Sequence, residues 1–161
     1  MNKLYCDLDG VLVDFVGGYK KLTGQSIETM EWIHGKDTAW EMIDNYGKFE
    51  FWYNLEPTEW GIWYWEQIKQ YNPTILTNPG PNSEGVVESA KTYWVREHLG
   101  VNPVICVYDK QRYSDTNTML IDDSYRNRTL WSERGGRAVK VYDRESAMES
   151  IKGIKEFIDV D

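Results

Sequence analysis

Asp7 and Asp9 stand two residues apart at the end of a short apolar run, in LYCDLDGVLVDF (residues 4–15). Three later apolar runs also stop at polar groups. Thr77 and Asn78 follow PTIL, Asp109 and Lys110 follow VICVY, and Asp122 and Asp123 close TMLIDD. If these runs are strands of one parallel sheet, all of those side chains meet at one edge. Two unit charges about 4 Å apart repel by roughly 4 kcal/mol at an effective dielectric near 20. Several carboxylates in one pocket would then rival the whole stability of a small domain, about 5–15 kcal/mol. A positive partner is required. A hard divalent cation suits oxygen ligands, and Mg2+ accepts a few carboxylates together with water and a phosphate oxygen; Lys110 brings a second positive charge. In extended backbone, side chains two apart share a face, so Asp7 and Asp9 both reach the pocket if the strand continues to Asp9, and Gly10 then allows a tight turn. One carboxylate attacking phosphorus while the other handles protons is the equipment of metal-assisted phosphoryl transfer.

The elements that must position these groups are legible in the pattern. Strands are predicted over 3–7, 73–78, 104–108, 118–122 and 138–142, each apolar without clean alternation, as for strands covered on both faces. Helices are predicted over 82–99, 125–134 and 144–158, the first two ending at glycines. Strands alternating with helices imply a doubly wound α/β core with a parallel sheet and right-handed crossovers, whose ligands sit beyond the carboxyl ends of the strands. Residues 15–72 separate the first two strands by more than one crossover helix needs, and they hold six of the eight tryptophans. They are predicted to form a small helical cap, leaving 1–14 and 73–161 as the core.

Composition narrows the function. Eighteen basic against twenty-six acidic residues give a net charge of −8, which disfavours binding to duplex nucleic acid. No long uncharged apolar run spans a membrane and no secretory signal precedes the first strand, so a cytoplasmic location is expected. Cys6 and Cys106 lie in apolar runs and form no CxxC pair, which reads as buried reduced thiols.

The motif DLDGVLVD resembles the first motif of haloacid dehalogenase-like hydrolases. ILTN is similar to their second motif, Lys110 to the third and LIDD to the fourth, in the family's order and over nearly the whole chain. The resemblance narrows to the 5'(3')-deoxyribonucleotidases, through DGVLVDF, FWYNLEP, KTYWVREHLG and the DK and LIDD pairs. The chain departs from them in carrying Asn78 where serine is usual, and in being shorter. This resemblance implies a Mg2+-dependent phosphatase that hydrolyses (deoxy)ribonucleoside monophosphates through an aspartyl-phosphate, with a small phosphomonoester as its partner and a homodimer as its expected assembly. The alternatives are a phosphatase of the same superfamily acting on another small metabolite or a nucleic-acid end, and a catalytically silent phosphate-binding module. A signalling receiver fits less well, because its acceptor aspartate lies at the third strand.

The resemblance also implies roles. Asp7 is the nucleophile and Asp9 the general acid and base, its backbone carbonyl also binding the metal. Asp122 and Asp123 join Asp7 and Asp9 around Mg2+. Thr77, Asn78, Lys110 and Lys91 bind phosphate, although a solvated helix position is an equal expectation for Lys91. Phe15 stacks on the base, and Phe51 and Trp52 line the pocket wall. Asp14 is expected to cap the next helix. Trp60, Trp63, Tyr64, Ile68 and Tyr71 recur at helical spacing and are expected to be packing. Trp32 and Trp40 receive no role, and His34 and His98 are expected at the surface.

Overall fold

The computed structural model describes residues 1–81, 85–100 and 102–160. Their strands are β1 (Lys3–Cys6), β2 (Thr74–Thr77), β3 (Val104–Cys106), β4 (Thr118–Asp122) and β5 (Arg137–Lys140). All pair in parallel in the order β3-β2-β1-β4-β5. β1 is central, and Tyr5 registers with Thr74 on one side and Leu120 on the other. The sequence-predicted strands are all present, with ends within two residues. Their apolar continuity has the expected cause: β4 is buried at every position, and Leu4, Tyr5 and Cys6 of β1 are buried as well.

Helices α1 (Phe15–Thr23), α2 (Ile27–His34), α3 (Lys36–Tyr46), α4 (Lys48–Tyr53) and α5 (Gly61–Ile68) lie between β1 and β2; α6 (Val86–His98), α7 (Tyr125–Glu133) and α8 (Arg144–Asp159) follow. Side-chain caps fix the starts of α1, α2, α7 and α8. Asp14 accepts from the Gly17 amide, as expected, and Ser124 accepts from that of Asn127. Asp143 and Ser146 form a reciprocal capping box. The helix predicted from residue 82 is described from Val86; residues 82–84 lie outside the described residues.

The main core runs without a break from the sheet into the helices after β1. It joins Leu4, Cys6, Ile75 and Ile121 to Tyr19, Ile43, Phe51 and Trp52. α5 packs beside α8 and the end of α6. The Tyr64 hydroxyl meets Ser150 of α8 at 2.7 Å, and the Trp65 indole donates to the Leu99 carbonyl at 3.1 Å. It therefore serves as the β1–β2 crossover, and α1, α3 and α4 are the helices that supply the wall beside the sheet edge. The predicted packing role of the 60–71 stripe matches this: Tyr64 and Ile68 are fully buried, and Trp60, Trp63 and Tyr71 pack partly against the core. The opposite sheet face is covered more thinly, by Trp131 of α7 against Tyr5, Leu76 and Leu120.

Both thiols are free, with Cys6 buried. His34 is exposed, but His98 is half-buried and stacks on Trp94 at 4.2 Å, because helix spacing of four places the two rings over one another. Among the described residues, no helix is long and apolar enough to cross a membrane.

Candidate active site

β1 stops at Cys6, so extended backbone does not continue to Asp9. The chain instead winds tightly, with the Leu8 carbonyl accepting from the amides of Val11, Leu12 and Val13. Gly10 makes this possible at φ +82°, and its amide donates to the Val13 carbonyl at 2.8 Å. A Cβ at Gly10 would stand 2.3 Å from Asp123 Oδ2, so the glycine also makes room for a site carboxylate. This coil, and not strand alternation, brings Asp7 and Asp9 into one cleft of about 480 Å3 at the carboxyl edge of the sheet.

Around the end of β1 the charges sort into two groups, each built on a buried lysine. In the first, the Lys110 ammonium bridges Asp7 Oδ1 at 2.7 Å and Asp122 Oδ2 at 2.9 Å. Asp122 is fully buried and also accepts from the Ser124 amide and the Asn127 side chain. Carboxylate oxygens of Asp7, Asp122 and Asp123 lie within 4.8 Å of one another. In the second group, Lys91 donates to Asp9 Oδ2 at 2.7 Å, Thr77 Oγ1 at 2.8 Å and the Asn78 carbonyl at 2.7 Å. At 2 % side-chain exposure, Lys91 is no solvated helix lysine. Asp9 Oδ1 is buried without a hydrogen-bond partner.

The electrostatics carry the strain of this arrangement. Burial and the neighbouring Asp122 push the Asp7 carboxyl well above the usual range. Burial and Asp122 likewise raise Asp123 to about 6, against a hydrogen bond with Asp7 that works the other way. Burial alone would lower Lys110, but Asp7 and Asp122 outweigh it and hold the ammonium charged. The Asp9–Lys91 pair is neutral as a unit. With all three carboxylates ionised, the Lys110 ammonium leaves the first group two positive charges short, so burial and this imbalance push Asp7 and Asp123 towards their protonated forms. Arg128 reaches only the backbone carbonyls of Asp122 and Asp123. A divalent cation with oxygen ligands supplies that balance, so Asp7, Asp122 and Asp123 fit Mg2+ in charge and donor chemistry.

The remaining sequence-predicted residues fall in distinct places. Asn78 lines the cleft, with Oδ1 accepting from the Gly80 amide. Thr77 is fully buried beneath it. Phe15 and Trp52 form the apolar wall, nearly parallel at 5.3 Å, and Trp40 stacks on Phe15 at 5.8 Å. Phe51, expected in that wall, packs edge-on behind Phe15 and Trp52 and faces a different cavity of about 560 Å3 between α1 and α4. That larger space lacks the charged cluster. Asp109 is exposed and does not line the cleft.

Sequence reasoning missed Trp40, Tyr108, Asn127 and Lys36, all of which line the cleft. Asn127 was legible in hindsight, since Ser124 after the aspartate pair marks a helix start and places residue 127 on its first turn. Nothing local pointed to Trp40 or Lys36, which reach the cleft only through the packing of α3.

No family model matches the chain, and no curated protein matches it in sequence. Solved structures do. A predicted phosphatase from Clostridium acetobutylicum aligns with a TM-score of 0.62 at 14% identity, covering 96% of this chain and 98% of the other. A haloacid dehalogenase-like hydrolase from Streptococcus pneumoniae aligns at 0.58 and 14% identity, covering 94% and 91%. An L-2-haloacid dehalogenase from Xanthobacter autotrophicus with covalently bound chloropropionic acid aligns at 0.58 and 12%, covering 98% and 86%. The domain is thus a doubly wound α/β domain with an acidic cleft at the carboxyl edge of its sheet. Its fold is that of the haloacid dehalogenase-like hydrolases.

Proposed function

We propose that the protein is a Mg2+-dependent phosphomonoesterase, with a nucleoside monophosphate of the 5'(3')-deoxyribonucleotidase kind as its substrate. One observation carries the reading: Asp7, Asp122 and Asp123 converge with Lys110 in a cluster two positive charges short of balance, beside Asp9 and an aromatic wall. Asp7, Asp122 and Asp123 would hold Mg2+, which when bound would supply the missing positive charge and let an anionic phosphoryl group enter an acidic site.

The chain's own residues divide the remaining work. Asp7 Oδ1 is tied by the Leu8 amide at 2.8 Å and by Lys110, so Oδ2 is the oxygen left to attack phosphorus and form an aspartyl-phosphate. Lys110 follows the charge moved from Asp7 to the phosphoryl oxygens. Asp9 keeps Oδ2 on Lys91 and presents Oδ1, the oxygen without a partner. With a proton taken from solvent on Oδ1 it protonates the leaving alcohol, and as the resulting carboxylate it takes a proton back from the water that cleaves the aspartyl-phosphate. All three Lys91 protons are already given to protein oxygens, so Lys91 supports the phosphate site from below by charge and by fixing Thr77 and Asn78. The nucleobase has Phe15, Trp40 and Trp52 to pack against.

The test is phosphate release from nucleoside monophosphates and sugar phosphates, compared by kcat/KM with Mg2+ and with EDTA, alongside halide release from 2-haloacids. Metal-dependent release with nucleotides preferred is the expected result. Halide release unaffected by EDTA, without phosphatase activity, would overturn it in favour of carbon–halogen chemistry at the same aspartate.

A further inference from the structure

Trp52 does more in this structure than line a cleft. The Lys91 ammonium sits 4.5 Å from the centre of its ring. Lys91 is buried, and its three N–H bonds are spent on Asp9, Thr77 and the Asn78 carbonyl. A fourth polar neighbour would pull one of those bonds away from its acceptor. An aliphatic neighbour would fill the space and leave the cation facing nothing it can polarise. An indole face attracts the cation without competing for its protons. The ring is itself held, 5 % exposed on α4, with Phe15 stacked on it and Phe51 edge-on at 5.2 Å.

We propose that Trp52 is a positioning residue for the chemical step: through Lys91 it fixes Asp9, Thr77 and the Asn78 carbonyl, whatever alcohol the phosphate is attached to. The proposal rests on the phosphatase reading. It separates Trp52 from Phe15 and Trp40, which serve an aromatic substrate by stacking.

The experiment uses β-glycerophosphate, which has no ring to stack, beside a nucleoside monophosphate. W52L is expected to lower kcat on β-glycerophosphate by about tenfold, and W52F to keep it within about threefold, as a cation–π contact predicts. A W52L enzyme that loses only KM for the nucleotide, with kcat on β-glycerophosphate unchanged, would overturn the proposal. An independent readout on the wild-type protein is the Lys91 ammonium signal in proton–nitrogen NMR, assigned by its loss in K91R. It is expected to be shifted upfield by the indole ring current, and retained in W52F; an unshifted signal in the wild type also overturns the proposal. A wild-type protein that hydrolyses neither phosphomonoester would instead refute the phosphatase reading and the role built on it. That outcome is distinct from an active wild type matched by W52L.

Discussion

Gly10→Ala and Gly24→Ala form a matched pair that isolates the placement of Asp123. Both glycines sit in left-handed backbone, at φ +82° and +83°. An added methyl at Gly24 meets nothing within 4 Å, whereas at Gly10 it stands 2.3 Å from Asp123 Oδ2 and 2.8 Å from Cγ. Each variant should lose about 1–2 kcal/mol to backbone strain. Only Gly10→Ala must also push the Asp123 carboxylate about an ångström aside, and only it should lose metal affinity. The assay is thermal unfolding with and without Mg2+. At a concentration of 100 times Kd, a ligand of the native state adds about 2.7 kcal/mol, equivalent to roughly 5–10 °C in a domain of this size. The wild type and Gly24→Ala should show that rise, and Gly10→Ala should show little of it. Should Gly10→Ala keep the full Mg2+ shift, Asp123 is no part of the metal site and the charge argument built on three carboxylates is wrong.

Asp7→Asn should cut phosphate release by on the order of 1000-fold or more while circular dichroism remains native, since an amide oxygen is a poor nucleophile; substantial turnover would remove Asp7 from that role. Lys110→Met should cost about 3–5 kcal/mol in urea unfolding at neutral pH, because it strands Asp7 and Asp122. Acidification should recover part of that loss, and a loss independent of pH would contradict the pairing. In the metal-free protein, Asp123 binds its proton more tightly folded than unfolded, being raised from 3.8 to about 6. Stability is therefore greatest below pH about 4 with respect to this group and falls as pH rises through 6, by roughly 2–3 kcal/mol. Asp123→Asn should flatten that fall; an unchanged profile would show that the group is not displaced.

Most of the framework was legible because its signals are local. Apolar runs of four or five residues and glycines after helices located the sheet and the helices after it. The strand-end carboxylates then located the site, because a parallel sheet brings its carboxyl ends together regardless of sequence distance. What escaped was what packing decides. Whether Lys91 is solvated depends on α6 facing β2, and whether Phe51 or Trp40 reaches the cleft depends on how α3 and α4 turn against α1. No periodicity separates those cases. The joint presence of Asp7 and Asp9 in the cleft was expected for the wrong reason, since a coil at Leu8–Val13 achieves it where strand alternation does not.

The central position of β1 has a consequence for how the molecule comes into being. Its nearest partners in the chain begin about seventy residues later, with Thr74 opposite Tyr5, and the other flank is closed only by β4. At translation speeds of about 5–20 residues per second, this apolar strand waits roughly 4–14 s on the ribosome before β2 even exists. For that interval the tryptophan-rich helices made in between, which share a core with Leu4 and Cys6, are the part of the chain available to cover it. The stretch that shapes the cleft in the finished protein is thus also placed to shield the first strand from other nascent chains.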